Sequence, residues 1–175
     1  TIALTFTISE STTGFAADDI VVSGGTLSAF DGSGTAYTAT FAPSADGATT
    51  IDVAAGKFTD AAGNSNTAAT QFAWTHDSTS PTMTIASTTS GVTSGATTND
   101  ATIALTFTSS ESTTDLVVGD ITVSAGSLSS FAGSGTDYTA TFTPGSDATY
   151  TISIAAEKFT DAPGNDNAVS NTFTW

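Results

Sequence analysis

The side chains best suited to chemistry in this sequence are oxygen ligands, and they recur as a set. Glu111, Asp120, Asp161, Asn165 and Asn167 stand 101 positions after Glu10, Asp19, Asp60, Asn64 and Asn66, and Asp77 places one further acid ahead of the later set. Carboxylates and carboxamides are hard donors. Calcium accepts six to eight such oxygens in flexible geometry, whereas magnesium demands a tight octahedron and zinc favours nitrogen and sulfur. The spacing is not that of an EF-hand loop, so separate turns must bring the ligands together. Turn chemistry alone accounts for any single Asp or Asn, because both bond their own backbone and tolerate left-handed conformations. The metal reading therefore rests on the set, with Ca2+ as the expected cofactor.

Charge points the same way. Seventeen Asp and Glu against two Lys and Arg give a formal charge of -15 and a pI near 4.1. A chain so acidic repels phosphate backbones and anionic lipid, which excludes nucleic acid as a partner, and its self-repulsion is relieved by bound cations. No apolar run approaches the roughly 20 residues of a membrane span, so membrane insertion is not expected. The absence of cysteine removes disulfide, redox and thiolate chemistry. His76 is the single histidine, and no nucleophile or acid pair is spaced to work with it. Phosphate loops and catalytic triads are absent as well, and the chain reads as a non-enzyme.

The elements that must position these ligands are strands. TIALTFT at Thr1–Thr7 returns at Thr102–Thr108, and the match runs without a gap to Trp74 and Trp175, with roughly 45 of the 74 aligned positions identical. Apolar residues alternate with Thr, Ser and Ala, as in Ile103, Leu105 and Phe107 or Tyr138, Ala140 and Phe142, which is the period of half-buried strands. Gly, Ser, Pro and Asp clusters separate the runs. In the later copy seven strands are predicted: A near 82–86, B 102–109, C 120–124, D 127–131, E 137–143, F 150–156 and G 169–175. That count and spacing give an all-β chain of two tandem immunoglobulin-like Greek-key sandwiches, with repeat 1 at 1–74, a linker at 75–81 and repeat 2 at 82–175.

Such a topology gathers the start of A with the BC and FG turns at one pole, and the ligand set above falls on those segments. Repeat 1 lacks its own strand A, since Thr1 already corresponds to the start of strand B. Two readings cover the open edge: the sequence is a window on a longer array, or a neighbouring molecule donates a strand. Trp74 and Trp175 are expected to cap the cores, and Tyr37, Phe41, Tyr138 and Phe142 to lie inside them.

The segments ALTFTSSE, GDITVSAGSLSSF, YTATFTP and AAEKFTDAPGN, with their partners ALTFTISE, DDIVVSGGTLSAF, YTATFAP and AAGKFTDAAGN, resemble bacterial Ig-like tandem repeats of large RTX-type surface adhesins. The resemblance implies an extracellular, calcium-dependent repeat of a cell-surface stalk or secreted filament, with neighbouring repeats or identical subunits as head-to-tail partners. Two other roles remain open: a self-polymerising fibril subunit, and a module that binds a glycan or a host protein.

Overall fold

A computed structural model describes every residue from Thr1 to Trp175, and the chain divides into two compact units, Thr1–Asp77 and Ser78–Trp175. In the second unit β-branched and aromatic residues at alternate positions make strands, while Gly, Pro, Asp and Asn make the turns between them. Strand β6 (Met83–Ser87) pairs antiparallel with β7 (Ile103–Thr113), and β7 with β9 (Ser127–Thr143). A second sheet joins β8 (Ile121–Val123), β10 (Thr151–Ile154) and β11 (Phe173–Thr174), with β10 in the middle. The inward faces of both sheets form one core, in which Ile103, Phe107, Phe142, Ile152 and Ile154 are wholly inaccessible.

The seven expected segments appear in order as six strands, with two differences. The segments expected as D and E are a single continuous run, β9, that folds back on itself over Gly133 and Gly135, both at positive φ. Ser129 Oγ donates to the Thr141 carbonyl across the fold, at 3.5 Å. A side chain at Gly133 would place its Cβ 2.3 Å from the Asp137 carbonyl oxygen, so only glycine fits there. The expected strand G is also cut short, to Phe173–Thr174, because the residues before it spend their hydrogen bonds elsewhere. Asn171, for example, accepts the Ile85 N–H at 2.7 Å and donates to the Ile85 carbonyl at 3.0 Å, clamping β6 in place.

The first unit repeats the plan without a counterpart of β6. Strand β1 (Ile2–Thr12) pairs with β3 (Gly25–Pro43), and the facing sheet contains β2 (Ile20–Ser23), β4 (Gly47–Val53) and β5 (Phe72–His76). Its core centres on Leu4, Phe15, Tyr37, Phe41 and Ile51. Trp74 packs edge-on against Phe41 with ring centres 5.1 Å apart, as Trp175 does against Phe142 at 6.1 Å, so both tryptophans cap their cores. Strand β5 extends through His76, two residues into the segment expected as linker, and His76 Nδ1 lies 3.1 Å from Asp46 Oδ1.

Equivalent residues pay different penalties in the two units, because Phe107 is wholly buried whereas its counterpart Phe6 is only partly so. Phe107→Ala is expected to cost about 3–5 kcal/mol of second-unit stability, and Phe6→Ala a clearly smaller amount in the first. Denaturant unfolding of the two variants checks this; equal losses would contradict the difference in burial.

Candidate metal site

The turn after strand F is built around two side chains. Asn167, buried among the core residues, accepts the N–H groups of Lys158 (2.7 Å) and Phe159 (3.0 Å) through Oδ1 and donates from Nδ2 to the carbonyls of Ala155 (2.9 Å) and Ala168 (2.7 Å). Its hydrogen-bonding capacity is fully used by backbone, so it braces the turn and has no oxygen to spare for an ion. Asp161 sits at the turn's head. Its Oδ1 accepts the N–H groups of Gly164 (2.9 Å) and Asn165 (2.7 Å), and its Oδ2 accepts from Asn165 Nδ2 at 2.9 Å. Gly164, at φ +100°, supplies the left-handed residue the turn needs.

The carboxylate of Asp161 is only 5% exposed. Burial by itself pushes its pKa up, but the hydrogen bonds from the Asn165 side chain and from the Asn165 and Gly164 backbones outweigh that, and the group titrates below the ordinary carboxylate range. A buried carboxylate that stays ionised is a strong attractor for a cation. Ligand oxygens of Asp77, Glu111 and Asp161 all lie within 4.8 Å of one another, with Glu111 near the end of β7 and Asp77 directly before Ser78. The cluster offers carboxylate oxygens only, the donor type that hard divalent cations accept.

Of the other expected ligands, Asp120 lies outside this group. It closes the short 3-10 turn Val118–Asp120, where its Oδ2 accepts the Val117 N–H at 2.9 Å. Asn165 is spent in part on Asp161. The first unit reproduces each of these roles. Asp19 accepts the Ala16 N–H at 2.9 Å, Asp60 Oδ1 accepts the Ala62 and Asn64 N–H groups at 2.8 Å each, and Asn64 Nδ2 donates to Asp60 Oδ2 at 2.7 Å. Asn66 accepts from the Lys57 and Phe58 backbones and donates to Ala54 and Thr67, while Glu10 holds the exposed place equivalent to Glu111. The Asn64 side chain and backbone lower the Asp60 pKa as well.

One acid with a clear structural role escaped the sequence reading. Asp115 ties the BC segment to the FG turn, accepting the Thr160 N–H at 3.0 Å, the Thr160 hydroxyl at 3.0 Å and the Thr113 hydroxyl at 2.8 Å. Burial opposes its ionisation, yet these bonds hold its pKa below the usual value. Its counterpart in the first unit is Gly14, where Thr12 Oγ1 reaches the Thr59 carbonyl directly at 2.7 Å. A search keyed to matched acids passes over it; the Thr-x-Asp spacing was the available signal.

The geometry is that of two tandem immunoglobulin-like sandwiches, the second with an acidic cluster beside its FG turn. The chain belongs to the bacterial Ig-like domain family, which it matches twice, over residues 1–75 and 77–175. The second match begins at Asp77, so all three clustered acids fall within one family repeat. No curated protein and no solved structure shows a significant match to the chain.

Asp60, Asp115 and Asp161 have folded pKa values below their unfolded ones, so each adds stability that is complete above the unfolded value of roughly 3.9 and disappears as pH falls through the folded value beneath it. Acid titration followed by circular dichroism should therefore show stability level from neutral pH down to about pH 5 and falling below about pH 4. Asn167→Ala should destabilise the second unit by about 2–4 kcal/mol, since it strands the buried Phe159 N–H together with the part-buried Lys158 N–H and two part-buried carbonyls. A variant that unfolds at the parent denaturant concentration would refute the bracing role.

Proposed function

We propose that the chain is a non-enzymatic spacer of an extracellular adhesin stalk or filament, in which a calcium ion bound by Asp77, Glu111 and Asp161 stiffens the passage from one repeat to the next. The observation that carries this reading is the convergence of three carboxylates within 4.8 Å, one of them buried and kept ionised by its own turn. The acid that completes the group comes from the segment joining successive family repeats. An ion held there restrains that segment, and successive repeats so restrained behave as a rod.

Composition supports the same role. A formal charge of -15 is costly to compact and is relieved by divalent cations, and low-complexity Thr, Ser, Ala and Gly faces offer little to a specific ligand. The turns of the two units are near-copies in sequence and in hydrogen bonding, which suits a repeated spacer better than a recognition surface. No helix is long and apolar enough to cross a membrane.

Calcium at a hundredfold excess over its Kd should raise the melting temperature of the second unit by on the order of 10 °C, and EDTA should reverse the shift. Asp161→Asn should abolish most of the response, and Asp147→Asn, on an exposed turn, should leave it intact. Calorimetry with and without the ion measures both. An identical melting profile of the parent protein in calcium and in EDTA would overturn the assignment.

A further inference from the structure

Two Asp-Gly dipeptides stand in the first unit, Asp31-Gly32 and Asp46-Gly47, and the fold holds them differently. Asp31-Gly32 lies within β3, where a Cβ on Gly32 would stand 2.4 Å from the Ala36 carbonyl oxygen and 2.6 Å from Tyr37 Cα. That backbone is packed hard against its own fold-back. Asp46-Gly47 stands where the turn after β3 enters β4, with Gly47 at φ +129° and nothing but its chain neighbours within 4 Å of the place a Cβ would take. The chain's single histidine closes on this second dipeptide. His76 pairs with Gly47 across β4 and β5, and its Nδ1 lies 3.1 Å from Asp46 Oδ1. A carboxylate offers only lone pairs, so the ring nitrogen is the donor. At the matching position of the second unit the dipeptide is Asp147-Ala148.

We propose that Asp46 and Gly47 form a self-modifying site, at which the main chain passes from the α-carbonyl of Asp46 to its side-chain carboxyl by way of a cyclic imide. The Gly47 nitrogen attacks Asp46 Cγ: the N–Cγ bond forms, the Cγ–Oδ1 bond breaks, and Oδ1 departs as water with the Gly47 amide proton and one proton from solvent. Water then opens the imide. Attack at Cγ restores aspartate, whereas attack at the α-carbonyl breaks its bond to nitrogen and leaves isoaspartate, with the chain running through the side chain and a free α-carboxylate. The water lost in the first step is regained in the second, and no oxidant or cofactor enters. Glycine leaves the attacking nitrogen uncrowded, and the Cβ of Ala148 shields Asp147. His76 touches the oxygen that leaves, so its N–H both orients the carboxyl and eases the departure. The product lengthens the main chain by a carbon atom, which displaces the pairing of Gly47 with His76 and of Ala48 with Thr75. The displacement stops at Thr49, whose buried hydroxyl donates to the Trp74 carbonyl at 2.9 Å. Conversion therefore loosens the end of β5 and spares the core.

The test incubates the whole 175-residue chain at neutral pH below its melting temperature and reads isoaspartate at each position by peptide mapping with electron-transfer fragmentation. Isoaspartate should accumulate at Asp46 about fivefold faster than at Asp31 or more, the factor that one ordinary hydrogen bond supplies when it acts on a barrier. In urea both dipeptides lose their folded surroundings and should convert at equal rates. His76→Phe should slow Asp46 by about fivefold in the folded chain and leave Asp31 unchanged, and His76→Gln, which keeps an N–H donor, should recover part of the rate. The comparison with urea needs no variant and decides the matter even where replacement of His76 unsettles the fold. Three results would overturn the proposal: Asp31 converting as fast as Asp46 in the folded chain, a preference for Asp46 that survives in urea, or a folded His76→Phe variant that keeps the parent rate at Asp46.

Discussion

A carboxylate held by the N–H groups of its own turn is the interaction on which the acidic pole depends. At Asp161 the turn's backbone satisfies one oxygen and the Asn165 amide the other, which lets the group remain charged at 5% exposure. Asn167, four bonds deep in the backbone on either side, fixes the path of the chain into and out of that turn. Phe159 is held in the core by the same amide that receives its N–H. Packing and electrostatics are thus joined at one point: the core fixes the turn, and the turn fixes the acid.

That coupling explains what the sequence could and could not reveal. Period-two alternation located every strand of the second unit, because one buried face leaves an unmistakable mark on residues such as Ile103, Leu105 and Phe107. It did not show that D and E form one folded-back run, since Gly133 and Gly135 look like an ordinary turn until the backbone is seen to stay in strand geometry through them. Immunoglobulin-like topology likewise pointed to a common pole for Asp161, Glu111 and Asp77. It could not separate ligand-type acids from braces, however. Asn167 and Asp120 have the same chemistry as ligands in sequence, and only the structure shows that Asn167 is taken up by backbone and that Asp120 accepts the Val117 N–H in its own short turn. Asp115 was hidden for the opposite reason, because its role is filled in the other repeat by a threonine hydroxyl rather than by an acid.

The near-identity of the two repeats makes each a control for the other. Phe72 and Phe173 occupy equivalent places in nearly equivalent sequences, yet one is half in solvent and the other is buried. Residue type cannot account for that difference. What differs is the strand lying along the sheet edge, together with the Asn171 side chain that grips it. A sandwich of this kind therefore depends for part of its core on an element outside the B to G segment, and β6 is better regarded as the closing piece of the fold than as its beginning.

The closing strand and the acidic cluster also arrive on one stretch of chain. Asp77 precedes Met83 by only a few residues, and Pro81 between them is buried, with its carbonyl accepting the Ala168 N–H at 2.9 Å just beyond the Asn167 brace. The residues from Asp77 to Ser87 consequently meet the FG turn at one end and complete the sheet at the other. An ion bound to Asp77 would fasten the stretch at its start while Met83 and Ile85 anchor its end in the core. Loss of either hold raises the freedom of the segment between them, and with it the entropy that folding of the strand must overcome. Cation affinity and sandwich closure would then be linked equilibria, each strengthened by the other through a segment too short to relax independently.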